Sequence, residues 1–115
     1  MFVQQHYYKK DIMSLMQTLF GKKEKIDFKK IIKNSAMIVD VRSPLEYSSG
    51  HIPGSLNIAL EQIGSAISSL KQKNKPLILV CRSGTRSNMA TSMLKNAGLE
   101  VYNGGAWDDL MQKIE

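Results

Sequence analysis

The sequence predicts one α/β domain in which a mainly parallel sheet lies between layers of helices. Short apolar runs, such as residues 37–41 and 77–80, are typical of buried strands. They alternate with segments whose apolar residues recur every three or four positions, such as 60–70 and 89–97, and this spacing is typical of helices. A chain of 115 residues, 43% hydrophobic and 23% charged, has the composition of one small globular domain.

Residues 1–23 are predicted to form a helical extension in front of a domain at 24–115. Asp11 is a suitable N-cap and Gly21 a suitable stop. The apolar residues between them fall on one side of a helix: Ile12, Met13, Met16, Leu19 and Phe20. Residues 1–33 carry eight lysines against three acidic residues, which accounts for +5 of the net charge of +6. No aromatic interleaving or nucleic-acid motif accompanies the lysines, so we expect a solvated face and no nucleic-acid partner.

The domain itself begins with a short helix at 28–33 and a strand at 37–41. Ser43 is a suitable N-cap with Pro44 at the first helical position, and a turn-rich loop follows at 50–54. The later elements are predicted, in order, as a strand at 56–58, a helix at 60–70, a strand at 77–80, a helix at 89–97, a strand at 101–102 and a helix at 108–114.

The only cysteine, Cys81, falls in the predicted loop between the strand at 77–80 and the following helix. Backbone N–H groups can converge in such a loop, and the helix adds the positive end of its dipole, so the loop can hold an anion. We therefore expect the thiolate form of Cys81 to be favoured. Arg82 and Arg86 flank the loop, although cations are disfavoured at a helix N-terminus unless an anion binds there. This pattern favours a catalytic cysteine over a buried structural one.

A set of motifs, in order and spacing, resembles one known family. These motifs are Ile38-Val39-Asp40-Val41-Arg42, Glu46-Tyr47, Gly50-His51-Ile52-Pro53-Gly54-Ser55, Asn57-Ile58, Cys81-Arg82-Ser83-Gly84-Thr85-Arg86-Ser87 and Gly104-Gly105. From about residue 26 to 115 the chain resembles the single-domain rhodanese-like sulfurtransferases. The resemblance implies a three-layer sandwich with a mainly parallel five-stranded sheet, and sulfur carried as a persulfide on Cys81. The chain departs from the family's pattern in the extension at 1–23 and in the altered segment 104–107.

The expected chemistry starts with attack of the Cys81 thiolate on the outer sulfur of a donor such as thiosulfate, after which a thiol or cyanide takes the sulfur. Gly84 lets the loop turn inward, so that the N–H groups of residues 82–87 can surround the negative sulfur. Arg82 and Arg86 are candidates to bind the donor's oxygens, with pairing to Asp40 as the alternative for one of them.

The remaining polar residues of the loop and the neighbouring strand have supporting roles in this prediction. Ser83, Thr85 and Ser87 are expected to shape the loop first and to bind substrate second. Asp40 and Arg42 are expected to brace the loop and the adjacent chain through hydrogen bonds.

Several other side chains are predicted to be structural. His51, in a Gly-His-Ile-Pro-Gly turn, is expected to bond to backbone rather than act as a base. Trp107 and Tyr102 are expected to be core or rim aromatics. Met89 and Met93 are expected to fill the core from the apolar face of the helix after Cys81.

Two alternatives to a sulfurtransferase share parts of this pattern. A cysteine phosphatase or arsenate reductase also has a loop that runs from Cys to Arg, but such loops place five residues between them. Cys81 and Arg86 have four residues between them, so the loop is tight for a tetrahedral phosphate. A partner-binding or relay module in a sulfur-transfer pathway, with a protein persulfide as donor or acceptor, is the other alternative.

The composition also indicates which disulfides, metals, membrane spans and cellular location to expect. One cysteine excludes an internal disulfide, and two histidines with one cysteine give no metal-ligand spacing, so we predict no metal and no cofactor. No apolar run approaches a membrane span, and the N-terminal residues lack a secretion signal, so a cytoplasmic location is expected. The pattern leaves the oligomeric state open.

Overall fold

The computed structural model describes residues 25–115. The helices are α1 (Phe28–Lys33), α2 (Pro44–Ser48), α3 (Ile63–Lys73, preceded by a 3₁₀ turn at Leu60–Gln62), α4 (Thr85–Asn96) and α5 (Trp107–Ile114). The strands are β1 (Met37–Asp40), β2 (Leu56–Asn57), β3 (Leu77–Cys81) and β4 (Val101–Ala106). None of the helices within this range is long and apolar enough to cross a membrane. The predicted helix of the extension at 1–23 lies outside the described residues.

The four strands form one parallel sheet in the order β2-β1-β3-β4. The predicted α/β class and the parallel sheet are confirmed, whereas the sheet described here has four strands rather than five. In residues 25–115 the chain ahead of β1 forms α1 and a turn, so it adds no strand to the sheet.

Side chains of β3 alternate between two apolar cores, one on each face of the sheet, because successive residues of a strand point to opposite faces. Leu77 and Leu79 pack with α3 and α4, and the residues that join them include Ile63, Leu70, Ala90 and Leu94. Ile78 and Val80 pack on the other face with Leu110 of α5 and side chains of α1. The predicted three-layer arrangement is therefore present.

The helix after Cys81 differs from its predicted form. Helix α4 begins at Thr85, and its buried face is formed by Ser87, Ala90, Thr91 and Leu94. Met89 and Met93 are 54% and 39% exposed, so the prediction that they fill the core is wrong. Positions 87, 90, 91 and 94 recur every three or four residues and form the buried face, so Met89 and Met93, which are four residues apart on a different face, point towards solvent.

Strand β4 runs to Ala106 and includes Gly104 and Gly105, whereas the predicted strand ended at residue 102. Asn103 pairs with Leu79 and Gly105 with Val80, so Gly104 is an extra residue in a β-bulge. A Cβ on Gly104 would lie 2.7 Å from Ile78 Cγ2, which explains why a glycine is needed at this close approach.

Candidate active site

The candidate site lies at the carboxyl ends of the two central strands. Asp40 ends β1 and pairs in register with Val80, and Cys81 ends β3 one residue later. Ligands of open parallel sheets bind at this edge. Asp40 and Cys81 therefore lie at the same edge of the sheet, and Cys81 is the last residue of the strand rather than the loop residue that was predicted.

The Cys81 thiol lies beneath a loop that wraps around it. The residue is 1% exposed, and its Sγ accepts hydrogen bonds from the backbone N–H groups of Gly84 at 3.0 Å and Ser87 at 3.3 Å. Gly84 has φ +99°, a conformation that side chains disfavour, and this turn brings its N–H back towards the sulfur. The Sγ atom also lies at the N-terminus of α4, where the helix dipole is positive.

Two opposing effects act on the pKa of the Cys81 thiol. Burial raises the pKa because it disfavours the charged form. Hydrogen bonds from the Ser87 hydroxyl and from the backbone N–H groups of Ser87 and Gly84 stabilise the thiolate and outweigh burial. The net result is a pKa below the ordinary value, as the sequence predicted, and a larger thiolate fraction at neutral pH.

Asn103 of β4 fixes the hydroxyl beside Cys81, a role that the sequence analysis missed. Ser87 Oγ lies 3.4 Å from Cys81 Sγ and donates to Asn103 Oδ1 at 2.7 Å, while Asn103 Nδ2 donates to Gly84 O at 3.3 Å. A hydroxyl has one proton, so Ser87 can donate to Asn103, to Gly84 O at 3.1 Å or to a Cys81 thiolate. The available signal was the position of Asn103 directly after the predicted strand at 101–102, since the carboxyl ends of parallel strands meet at one edge of a sheet.

Arg86 forms an ion pair with Glu46, a residue that the sequence analysis named only within the Glu46-Tyr47 motif. Its Nη1 and Nη2 donate to Glu46 Oε1 and Oε2 at 2.8 and 2.9 Å. Glu46 also completes a capping box with Ser43 at the start of α2. The hydrogen bonds from Arg86 and from the Ser43 backbone lower the pKa of Glu46 to about 2, and the same pair raises the pKa of Arg86.

Asp40 is paired with Arg42, not with either arginine of the loop. Arg42 Nη2 donates to Asp40 Oδ2 at 2.7 Å, and the two side chains are 3% and 0% exposed. Arg42 also donates to the carbonyl oxygens of Gly50 and Glu46, and its guanidinium lies 4.6 Å from the centre of the Trp107 ring. The pair thus braces α2 and the segment after it. This segment corresponds to the neighbouring chain that Asp40 and Arg42 were predicted to brace.

The other predicted site residues lie on the open side of the loop. Arg82 is exposed and makes no ion pair or side-chain hydrogen bond with any residue in 25–115. It lines a cavity of about 280 Å³. Ser83 and Thr85 are exposed, and within the described part of the chain their hydroxyls have no hydrogen-bond partner.

His51 is structural in the way that the sequence predicted. Its Nδ1 lies 2.7 Å from the carbonyl oxygen of Tyr47, and the two rings are stacked with centres 3.7 Å apart. Residues 25–115 contain no cluster of three histidine, cysteine or acidic side chains that could hold a metal ion.

Comparison with known proteins agrees with this arrangement. The sequence profile of the Rhodanese-like domain family matches residues 24–108. The chain belongs to this family. A thiosulfate sulfurtransferase GlpE of Pseudoalteromonas translucida is 38% identical over 81 residues, which cover 66% of this chain and 76% of that protein. The uncharacterized protein YqhL of Bacillus subtilis is 34% identical over 90 residues, which cover 77% of this chain and 67% of that protein.

Solved structures show the same fold. A structure described as rhodanese with anions from E. coli superposes with a TM-score of 0.60 at 30% identity, covering 65% of this chain and 91% of the other. The rhodanese fold and a role in sulfur transfer are therefore established for this protein, and the resemblance found in its motifs is confirmed.

Proposed function

We propose that this rhodanese-family protein is a sulfurtransferase that carries sulfane sulfur as a persulfide on Cys81, with thiosulfate as a donor. The observation that carries the proposal is the pair of backbone N–H groups, from Gly84 and Ser87, that bond to the buried Sγ at the N-terminus of α4. These groups are fixed by the fold, so they stabilise negative sulfur without reorganisation during the reaction.

The reaction proceeds in two displacements at sulfur. The Cys81 thiolate bonds to the outer sulfur of thiosulfate, the sulfur–sulfur bond of thiosulfate breaks, and sulfite leaves with the bonding electron pair. Cys81 then carries a terminal sulfur with one negative charge. In the second displacement cyanide or a thiolate bonds to that sulfur, and the electron pair returns to Cys81 Sγ.

The terminal sulfur has its own donors in the first turn of α4. The N–H groups of Thr85 and Arg86 have no acceptor within the helix, because the first four amides of a helix are unpaired. They and the helix dipole favour an anion at the mouth of the loop. Ser83 and Thr85 of the same loop are exposed.

Arg82 is the arginine that we assign to the sulfonate of thiosulfate. Arg86 uses both terminal nitrogens on Glu46, whereas Arg82 is unpaired within residues 25–115 and faces a cavity. The same pairing disfavours the phosphatase alternative, because phosphoryl chemistry needs an arginine free to bind two oxygens of the transition state.

Intact-mass measurement after exposure to thiosulfate tests the proposal. Wild-type protein should gain one sulfur atom and lose it on addition of cyanide, with thiocyanate formed in equal amount. Cys81→Ser removes the nucleophile and should do neither, although the small change at a buried site should leave the fold intact, as circular dichroism can verify.

Ser68→Ala is the matched control, since it changes an exposed hydroxyl of α3 that has no partner among the described residues. It should keep most of the sulfur transfer. Transfer by a folded Cys81→Ser protein, or the absence of any sulfur gain by the wild type, would contradict the proposal.

A further inference from the structure

A cavity of about 280 Å³ adjoins the loop after Cys81. In the proposed loading of sulfur from thiosulfate, Arg82 is the one lining residue of this cavity that has a role. Its lining residues are Arg42, Glu46, Ser49, Gly50, Arg82 and Trp107. We call this space the Arg82 cavity. A larger cavity of about 440 Å³ lies where β3 and β4 begin, near Pro76 and Glu100, at the opposite end of the strands from Cys81.

The charges around the Arg82 cavity leave one positive charge uncompensated. Arg42 is neutralised by Asp40, and Glu46 by Arg86, each within 2.8 Å. Arg82 is the remaining ionised side chain of the lining, and it has no counter-ion in residues 25–115. A cavity with one unpaired guanidinium is suited to a ligand with one negative group.

The lining next to the Arg82 guanidinium and the volume of the cavity restrict the size and polarity of the ligand. The Trp107 ring supplies an apolar surface held in place by its contacts with Arg42 and Gly50. The volume lies near the lower end of the range for small-molecule sites, so it accommodates a short organic chain rather than a folded partner. Arg82 is the residue after Cys81, and Glu46 of the same lining bonds to Arg86, so the cavity adjoins the loop that encloses the sulfur.

We propose that the Arg82 cavity binds the carboxylate of a small organic thiol, which is the sulfur acceptor in the second displacement. This inference rests on the proposed function, since it requires a persulfide on Cys81. The sulfonate of the donor and the carboxylate of the acceptor use Arg82 in turn, because sulfite has left before the acceptor binds. The acceptor carbon chain lies against Trp107, and its thiol reaches the terminal sulfur.

The transfer step balances without an oxidant or reductant. The acceptor thiol passes its proton, through solvent, to the negative terminal sulfur of the Cys81 persulfide, and the acceptor sulfur forms a bond with that terminal sulfur. The bond from that sulfur to Cys81 Sγ breaks, and Sγ keeps the electron pair as a thiolate. The acceptor leaves as an organic persulfide, and the Gly84 and Ser87 N–H groups stabilise the thiolate that remains.

The test separates acceptor binding from donor use. Full-length protein is loaded with sulfur by inorganic polysulfide, desalted, checked by intact mass, and then mixed with excess thiol in a single turnover. The probes are 3-mercaptopropionate and its amide, which have the same chain length and differ in charge. We expect discharge by the carboxylate to be about tenfold more efficient, as one charge-assisted hydrogen bond at a partly exposed site provides.

Two pairs of variants locate the preference. Arg82→Gln should reduce the ratio between the two thiols to about one, and Arg82→Lys should retain part of it. Lys95→Gln, at the other end of α4, removes the same charge and should keep the wild-type ratio. Ser49→Trp should fill the cavity and lower the ratio, whereas Ser48→Trp, a neighbour whose hydroxyl also donates to Leu45 O, should not.

The outcomes distinguish this inference from the proposed function. Equal discharge by both thiols in the wild type, or a tenfold preference that persists in Arg82→Gln, would overturn the inference. If Arg82→Gln does not load, the Ser49→Trp and Ser48→Trp pair decides, and equal ratios in those two variants would overturn it. Failure of thiosulfate to load Cys81 would contradict the proposed donor instead, and loading by polysulfide leaves the acceptor test valid.

Discussion

Two arginine–carboxylate pairs lie near the Cys81 loop, and they differ in burial. The Arg42–Asp40 pair is 3% and 0% exposed, and Arg42 also satisfies two backbone carbonyls. The Arg86–Glu46 pair is 36% and 35% exposed, at the rim of the site. Breaking a buried pair leaves an uncompensated charge in a low dielectric, whereas solvent screens an exposed one. We therefore expect the first pair to support the fold and the second to set the charge that the proposed substrate meets.

The largest expected effect is on stability, from loss of the buried pair. Arg42→Met leaves the Asp40 carboxylate buried with only the backbone N–H of residue 42 as donor, so the free energy of unfolding should fall by about 3–5 kcal/mol. Urea denaturation of purified protein measures this. The double variant Asp40→Leu/Arg42→Met should recover part of the loss. A cost below about 1 kcal/mol for Arg42→Met would show that the two pairs do not differ as described.

The second expected effect is on substrate binding, from loss of Arg86. Arg86→Ala leaves Glu46 unpaired beside Arg82, and the free carboxylate repels thiosulfate, so KM for thiosulfate should rise about tenfold. Steady-state thiocyanate formation measures this. The double variant Arg86→Ala/Glu46→Ala removes both charges and should restore KM to near the wild-type value. A double variant as impaired as Arg86→Ala would mean that Arg86 itself binds the donor.

A smaller change in the opposite direction is expected when the carboxylate is removed. Glu46→Gln keeps the side-chain oxygen that caps α2 but frees the charge of Arg86, so KM for thiosulfate should fall by about two- to fivefold at low salt and less at high salt. The free energy of unfolding should change by about 1 kcal/mol or less. An increase in KM at low salt would show that the pair helps to form the donor site rather than to limit its charge.

The smallest expected effect is the pH dependence of the exposed pair. The pKa of Glu46 is lowered to about 2 in the folded protein, below its ordinary unfolded value of roughly 4.3. The stabilisation by Glu46 is therefore complete above the unfolded value and is lost as pH falls through about 4.3 towards 2. Its size should be about 1 kcal/mol or less, because solvent screens the pair.

The measurement is the difference in unfolding free energy between wild type and Glu46→Gln at several pH values. The wild type should lose its advantage as pH falls from about 5 towards 2, in the window set by the unfolded and folded pKa values of Glu46. A difference that stays constant through this range would contradict the ionic origin of the stabilisation.

The local chemistry of the loop was predictable from residues close together in the chain. The apolar run before Cys81, the glycine at position 84 and the helical spacing after it indicated a thiol held at a helix N-terminus. The Ser43 cap of α2 and the backbone-bonded His51 were likewise predictable, because their partners lie within four residues. These features depend on backbone geometry and short-range hydrogen bonds, which local sequence specifies.

The tertiary structure alone decided which charges pair and which polar groups meet. Arg86 and Glu46 are 40 residues apart, and Ser87 and Asn103 are 16 apart, so no local pattern indicates either contact. Three arginines could have taken Asp40. Arg42, two residues further along the chain, takes it, and Glu46 holds Arg86. These pairings left Arg82 unpaired among the described residues, because Coulomb interactions and hydrogen bonds depend on distances that only the packed sheet fixes.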